Sequence, residues 1–431
     1  MKEQENNDSR ARLQRLVKEF FTGFAVVSAG LVVSRLLMFV FGVMLARLMG
    51  ADGYGEFIVI STSFLIVSDA SNSFDRVFIR YSEKSLLGLS PLESFKATVF
   101  YKYVYLLASL IFALLFYAYC ATVKGDVGYG LLLSSGVLAG GLYSVFISLQ
   151  AFFQQKHNFL IVAATKPSFN ALSLLLISQL LFIGVSISLY HVSIVYLSSS
   201  ILLCAVGSLY IVRLTAPVRY PNRQGMMAIG KTSIIFLCAS LLTISSNRFD
   251  IYLVEYFLGL EALGYYGAAV RLGLVVSMLS AAASIVLLPH AASAFTCRRA
   301  FRKYIMRSVM YFGVQLLAAI FVYVLREPII GVAFGLGFGP SVDIIGVVLL
   351  QIIFMSVTTS CIALIQNGPK PGDVVWLAVF KIVVGLASML LLVPGQGIMA
   401  ASIAMALTGL ISASFSVLLT VRRTYPVVNN E

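Results

Sequence analysis

Apolar and polar residues are arranged along the chain in blocks. Stretches of about 20 predominantly apolar residues, the length that carries a helix across a bilayer, alternate with breaks rich in charge or in Pro, Gly and Asn, and predict twelve spans. They centre near Val33, Leu65, Ile111, Val137, Leu175, Leu202, Leu242, Met278, Leu316, Leu350, Val384 and Ile411. No stretch between them is long enough for a sizeable soluble domain. The pattern predicts an all-α polytopic membrane protein.

A short signature subdivides it. Gly50-Ala51-Asp52-Gly53-Tyr54-Gly55 and Gly259-Leu260-Glu261-Ala262-Leu263-Gly264-Tyr265-Tyr266-Gly267 each lie between two long apolar stretches, and they begin 209 positions apart in a chain of 431. The natural unit is therefore a half-chain of six helices used twice, a recurring architecture of secondary transporters. The expected organisation is an N-terminal segment (1–19), a first lobe with helices 1–6 (20–214), a linker (215–231), a second lobe with helices 7–12 (232–421) and a tail (422–431).

Composition strengthens the membrane assignment: 59% hydrophobic, 11% charged, with mean hydropathy +0.94, far from a soluble domain. With the N-terminus in the cytoplasm, 23 of the 31 Lys and Arg residues, Lys102 and Lys166 among them, fall on inside segments and only Arg47, Lys124 and Arg326 outside. That asymmetry places both termini in the cytoplasm. It also accounts for the net charge of +13 without nucleic acid, because basic inner loops meet anionic headgroups.

Other chemistry is thin. Residues 1–19 lack the apolar core and cleavage site of a signal peptide; Leu13, Leu16, Val17 and Phe20 recur at helical spacing beside Arg12, Arg15 and Lys18, which fits either an amphipathic surface helix or a disordered tail. The five cysteines (Cys120, Cys204, Cys238, Cys297, Cys361) and three histidines are scattered, with no disulfide or metal spacing. There is no phosphate loop ending in Lys-Ser/Thr and no Gly-x-Ser-x-Gly elbow. Catalysis, a cofactor, a metal and direct use of ATP are not expected.

The informative chemistry is the polar content of the spans, since a charge at mid-bilayer costs about 2.5–3.5 kcal/mol on insertion scales and is retained where it meets a cavity or a partner. Arg35 has eleven uncharged residues on either side, and Ser28, Arg35 and Gly42 share one helical face. It faces a cavity or forms an interhelical ion pair. The seventh span carries Ser245-Ser246-Asn247-Arg248-Phe249-Asp250. As a continuous helix, this places Ser245, Arg248, Tyr252 and Glu255 on one face and keeps Arg248 and Asp250 apart. Asp250 then reaches Arg35 or Arg271 across the bundle, as a neutralising partner or as a proton or cation coupling site. Arg271 and Lys381 complete the cationic set, with a surface-facing explanation open for both. At the end of the second span Asp69, Ser73 and Arg76, at i, i+4 and i+7, suit an intrahelical network with a structural or gating role. Gly42, Gly136, Gly140 and Gly141 allow close helix approach.

Together these motifs resemble the Wzx-type polysaccharide-unit flippases, within the superfamily that contains the multidrug and toxin extrusion transporters. The resemblance rests on Arg35, Ala46-Arg47-Leu48-Met49-Gly50 with Gly53-Tyr54-Gly55, Asp69 and Arg80 in the first half. In the second half it rests on Asp250, Leu258-Gly259 to Gly267, Ala269-Val270-Arg271-Leu272 and Leu287-Leu288-Pro289. Phe334-Gly335 and Pro394-Gly395-Gln396-Gly397-Ile398-Met399-Ala400-Ala401 extend it. Ser71 departs from the pattern, standing where Gly is common. The resemblance implies an inner-membrane protein that moves an undecaprenyl-diphosphate-linked oligosaccharide to the periplasmic leaflet for O-antigen, capsule or exopolysaccharide assembly. Its partners would be that lipid-linked substrate, membrane lipids, and the polymerase and chain-length machinery of the same pathway. Arg35, Arg248 and Arg271 would meet phosphate oxygens, with Ser246, Asn247 and Tyr252 on sugars and Lys381 also in substrate binding; Asp69, Arg76 and Asp250 would serve coupling or gating. Two relatives of the same architecture compete: a cation antiporter, which calls for acids along its cavity where this chain is mostly basic, and an exporter of lipid-linked peptidoglycan precursor. A membrane-bound polymerase or ligase would need a larger outer loop.

Overall fold

A computed structural model of the chain describes residues 2–83, 88–294, 298–367 and 372–428. All regular structure among them is helical. The helices are α1 (Lys2–Glu83), α2 (Pro91–Tyr119), α3 (Val127–Gln155), α4 (Phe159–Thr165), α5 (Ser168–Phe182), α6 (Leu189–Thr215) and α7 (Arg223–Ser245). They continue as α8 (Phe249–Ser293), α9 (Arg298–Val324), α10 (Arg326–Ala333), α11 (Gly339–Asn367), α12 (Asp373–Leu392) and α13 (Gly397–Val428). Ten stretches of described residues are long and apolar enough to cross a membrane. One of them, Ala25–Ser82, holds two crossings joined at Gly50, and the part of α8 beyond Gly259 completes the twelve. All twelve centres expected from hydropathy fall inside these helices. The side chains of residues 1–24, on which the amphipathic expectation rests, lie outside the described residues, as do Cys297 and the end of the tail.

The two glycines of the duplicated signature bend the chain in the same way. Gly50 (φ 71°, ψ −169°) and Gly259 (φ 84°, ψ 178°) are the non-helical residues inside α1 and α8, and their positive φ is the conformation glycine adopts without steric cost. Each turns one long helix into two consecutive crossings.

The chain divides into two units, Met1–Phe41 with Ser63–Cys238, and Gly42–Thr62 with Ala239–Glu431. The division expected along the sequence is thus crossed at one place: residues 42–62, the kink and its flanks, belong to the second unit. In the first unit α3, the fourth crossing, packs on α2 and α6; in the second, α11, the tenth, packs on α8 and α13. The fourth and tenth crossings are equivalent under the duplication, so each half builds its centre from the same helix. Lipid offers no hydrophobic drive between helices, and packing relies on small residues and interhelical hydrogen bonds. Ser173–Ser199 (3.1 Å) ties α5 to α6 and Ser135–Ser193 (3.3 Å) ties α3 to α6. Large apolar side chains such as Leu107, Phe112, Leu115, Leu317 and Leu391 are exposed, as lipid-facing positions require.

Lys102 corrects the charge reading. Expected on an inner loop, it is fully buried, paired with Asp75 at 2.8 Å, and donates to the Ser144 carbonyl at 3.1 Å. Asp75 is therefore the acid engaged near the end of the second crossing. Of the anticipated Asp69–Ser73–Arg76 network, the buried Ser73 hydroxyl makes no hydrogen bond and Arg76 is exposed.

Candidate functional site

Each unit holds an embedded cluster of two cations and one acid, built where a crossing is broken. In the first unit the fifth crossing, Phe159–Phe182, is interrupted between α4 and α5 at Lys166-Pro167. Proline lacks the amide hydrogen and crowds the preceding turn, so carbonyls are released for other partners. The hydroxyl of Ser34 donates to the Lys166 carbonyl (3.1 Å), and the Asn170 side chain donates to the Ser34 carbonyl (2.9 Å) and hydroxyl (3.0 Å). These bonds fix the break at the level of Ser34 and Arg35, midway along the first crossing. Lys166, expected on an inner loop, consequently sits within the field of both Arg35 and Asp69. Arg35 and Asp69 are half-buried, and the Tyr143 ring also lies in the field of Asp69. Tyr143 belongs to an aromatic group in which Phe64 stacks on Phe169 (4.2 Å) and both pack on Tyr196 (5.5 and 5.1 Å).

In the second unit the seventh crossing is interrupted at Ser246–Arg248, between α7 and α8. The cause is local: the Ser246 hydroxyl (2.6 Å) and the Asn247 amide (2.9 Å) both donate to the Thr243 carbonyl, competing with the helix for that acceptor. The continuous face expected from Ser245 to Glu255 is broken there. Arg248, with φ −136°, stands at the start of α8, and the Asp250 carboxylate lies in its field and in that of Lys381. Asp250 is buried and accepts from the Tyr266 hydroxyl at 2.7 Å, where the sequence offered Arg35 or Arg271 as partners. The Lys381 ammonium donates to the Asn247 side-chain oxygen at 2.5 Å. Ser246 is buried, Arg248 and Tyr252 are half-buried, and Asn247 is exposed. Tyr266→Phe removes a bond to a buried carboxylate and is expected to cost about 1–3 kcal/mol. Thermal unfolding of the purified protein should show a lower midpoint, and an unchanged midpoint contradicts this role.

The two clusters correspond under the duplication. Each takes an arginine from the first crossing of its half (Arg35, Arg248) and a lysine from the fifth (Lys166, Lys381). Sequence reasoning missed Lys166 by assigning it to a loop; the signal was Pro167, which accommodates a helix break inside an apolar stretch.

Arg271 is engaged differently. It is 8% exposed, donates to the Ser61 hydroxyl at 3.0 Å, and lies 4.3 Å from the Phe57 ring centroid and 5.6 Å from that of Tyr54. These partners all lie in the 42–62 segment, so Arg271 packs that segment into the second unit. The same segment is held by Arg47, which donates to the Ala333 carbonyl at 2.9 Å and to the Val332 carbonyl at the end of α10. Tyr54 packs on Phe334 and Phe338, both at 5.8 Å. The two copies of the signature also meet: a side chain at Gly55 would strike the Leu260 backbone, and one at Gly264 would strike the Ala51 backbone. Leu260 and Ala51 each follow a kink glycine and Gly55 and Gly264 are equivalent, so the contact is reciprocal, as a pseudo-two-fold axis requires.

Among the described residues no group of three or more His, Cys, Asp or Glu side chains could hold a metal ion. A family model described as polysaccharide biosynthesis protein matches residues 20–295. No curated protein matches the chain by sequence. Among solved structures, the inward closed conformation of the lipid II flippase MurJ is similar at a TM-score of 0.75 and 14% identity, over 92% of this chain and 87% of that one. An inward-facing multidrug resistance MATE transporter of the MOP superfamily gives 0.63 and 12%, over 91% and 95%. A MOP superfamily transporter from Pyrococcus furiosus, described as having a binding pocket of reverse polarity, gives 0.58 and 13%, over 94% of each chain. At these identities the likeness establishes the shared helical fold.

Proposed function

Since this chain belongs to the polysaccharide biosynthesis protein family, we propose that it flips undecaprenyl-diphosphate-linked oligosaccharide units from the cytoplasmic to the periplasmic leaflet of the inner membrane by alternating access. The observation that carries this reading is the pair of embedded clusters, each with two cations to one acid, at broken helices in the two halves. Half-helices interrupted at mid-membrane are where secondary transporters build substrate sites. A diphosphate-sugar headgroup is anionic and heavily hydrated, and its passage requires cationic donors and hydroxyl groups in place of water. Arg35, Arg248 and Lys381 supply charge-assisted bonds to phosphate oxygens, and Asn247 and Tyr252 are suited to sugars. Ser246 already spends its proton on Thr243 and is left with acceptor capacity only.

The excess of cations argues against the cation-antiporter alternative. Asp69 and Asp250 keep each cluster charged without making it anionic, and Arg271 joins the headgroup path only when the 42–62 segment releases it. The cycle opens inward to load the headgroup and then outward to deliver it. An anion leaving a negative interior gains about 2.3 kcal/mol per charge per 100 mV, so the potential suffices and ATP is not consumed. Coupling through Asp250 or Asp69 to protons is the alternative drive; activity that persists when the pH gradient alone is collapsed counts against it.

The test is complementation of a strain lacking its own repeat-unit flippase but assembling a matching lipid-linked unit. Restored surface polysaccharide, with intracellular lipid-linked units falling to parental levels, is expected. Continued accumulation despite stable expression in the membrane contradicts the assignment.

A further inference from the structure

We propose that the basic beginning of α9 is a binding site for an anionic phospholipid of the surrounding leaflet, with Arg299, Arg302 and Lys303 on its phosphate and the lipid-facing line of the same helix along its acyl chain. This goes beyond the flippase reading and does not depend on it.

The rotation of α9 is set from inside the second unit. Tyr304 is buried, donates to the Ser360 carbonyl of α11 at 2.8 Å, and belongs to a core that includes Ala294 and Leu364. With about 3.6 residues per turn, pinning Tyr304 inward turns Arg299, Arg302, Lys303 and Met306 away from that core, and all four are exposed. Arg299, Lys303, Met306, Met310, Gly313 and Leu317 then follow one another at i+4 and i+3 steps along one face. The beginning of this line is cationic and its continuation apolar. Met306, Met310 and Leu317 are 59%, 66% and 68% exposed, and Gly313 leaves a notch among them, with nothing within 4 Å of where a Cβ would stand. One face thus matches both a charged headgroup and the chain attached to it. Nothing local balances the charge: no acid occurs between Glu261 and Glu327, and among the described residues Arg299, Arg302 and Lys303 enter no ion pair. Other cations assigned to inner segments are drawn into the protein. Lys102 pairs with Asp75, and Lys96 donates to the Thr215 and Val218 carbonyls and covers the Tyr220 ring. The α9 cations stay at the lipid boundary, where a basic segment attracts anionic headgroups. Arg299 and Lys303 are one turn apart, about 6 Å along the axis, so that a guanidinium fork and an ammonium meet one phosphate together.

The experiment measures binding of fluorescent phosphatidylglycerol, and of phosphatidylcholine as the control without net charge, to purified, delipidated full-length protein. The variants are Arg299→Gln with Lys303→Gln, the charge-matched pair Arg219→Gln with Arg223→Gln on the exposed linker, and Arg299→Lys with Lys303→Arg. The wild type is expected to prefer phosphatidylglycerol. The α9 glutamine pair should weaken it about 25-fold, at about fivefold per cation, and leave phosphatidylcholine binding and the thermal midpoint in phosphatidylcholine unchanged, which shows that the variant is folded. The linker pair should leave phosphatidylglycerol binding nearly unchanged, and the exchanged pair should retain most of it. Equal loss in the α9 and linker pairs would reduce the effect to net charge and overturn the site, as would no loss in the α9 pair or no preference in the wild type. Equal weakening of undecaprenyl diphosphate by the α9 pair would assign the face to the substrate and overturn a phospholipid site.

Discussion

Gly55→Val and Gly264→Val should each abolish surface polysaccharide in the complementation assay while the protein persists in the membrane. A Cβ at Gly55 would overlap the Leu260 carbonyl, and one at Gly264 the Ala51 carbonyl. Backbone atoms cannot rotate away as a side chain can. Forcing extra atoms into a packed contact costs about 1–3 kcal/mol, and against backbone the upper end applies. Where the transport cycle needs this arrangement, the cost depletes it by about 5- to 150-fold. Because the contact is reciprocal, the two single variants should behave alike, and the double variant should be worse than either. A cysteine at Ala51 should react faster with a membrane-impermeant thiol reagent in the Gly264→Val background than in the wild type. Variants that transport normally would show that the contact between the two signatures is not part of the cycle.

Arg35→Ala has the second large effect. The half-buried guanidinium is the donor best matched to a phosphate by its planar fork, and truncating the protein partner of the charge pair it would form with a desolvated phosphate costs about 2–5 kcal/mol. At about 1.4 kcal/mol per factor of ten, transport should fall roughly 30-fold or more, with lipid-linked units accumulating inside the cell. Arg35→Lys keeps the charge but loses the fork and should retain a partial rate. Full restoration by Arg35→Ala would refute the role of this residue.

The helices and their duplication were legible in the sequence because both depend on local features. Twenty apolar residues suffice to define a crossing, and the Gly50 and Gly259 signatures mark equivalent bends. The acid and base placements were less legible. Counting cations on loops assumes that a lysine near a span end reaches water; Lys102 instead meets Asp75, and Lys166 follows a proline break into the bundle. The helical-face argument for Arg248 and Asp250 failed because Ser246 and Asn247 bond the Thr243 carbonyl and interrupt the helix. That Asp250 meets Tyr266, and that residues 42–62 join the second unit, are tertiary facts without a local signal. Arg271 was legible as an embedded cation, but its enclosure by Ser61, Phe57 and Tyr54 follows from that same tertiary arrangement.

The most direct test of the central claim is translocation by the purified protein in vesicles loaded with an undecaprenyl-diphosphate-linked oligosaccharide, scored by leaflet-specific access to the sugar. Transfer that depends on the protein, needs no ATP, and accelerates with a membrane potential directed to drive the anion across is predicted. Transfer no faster than in protein-free vesicles, with folded protein and a potential present, contradicts the account.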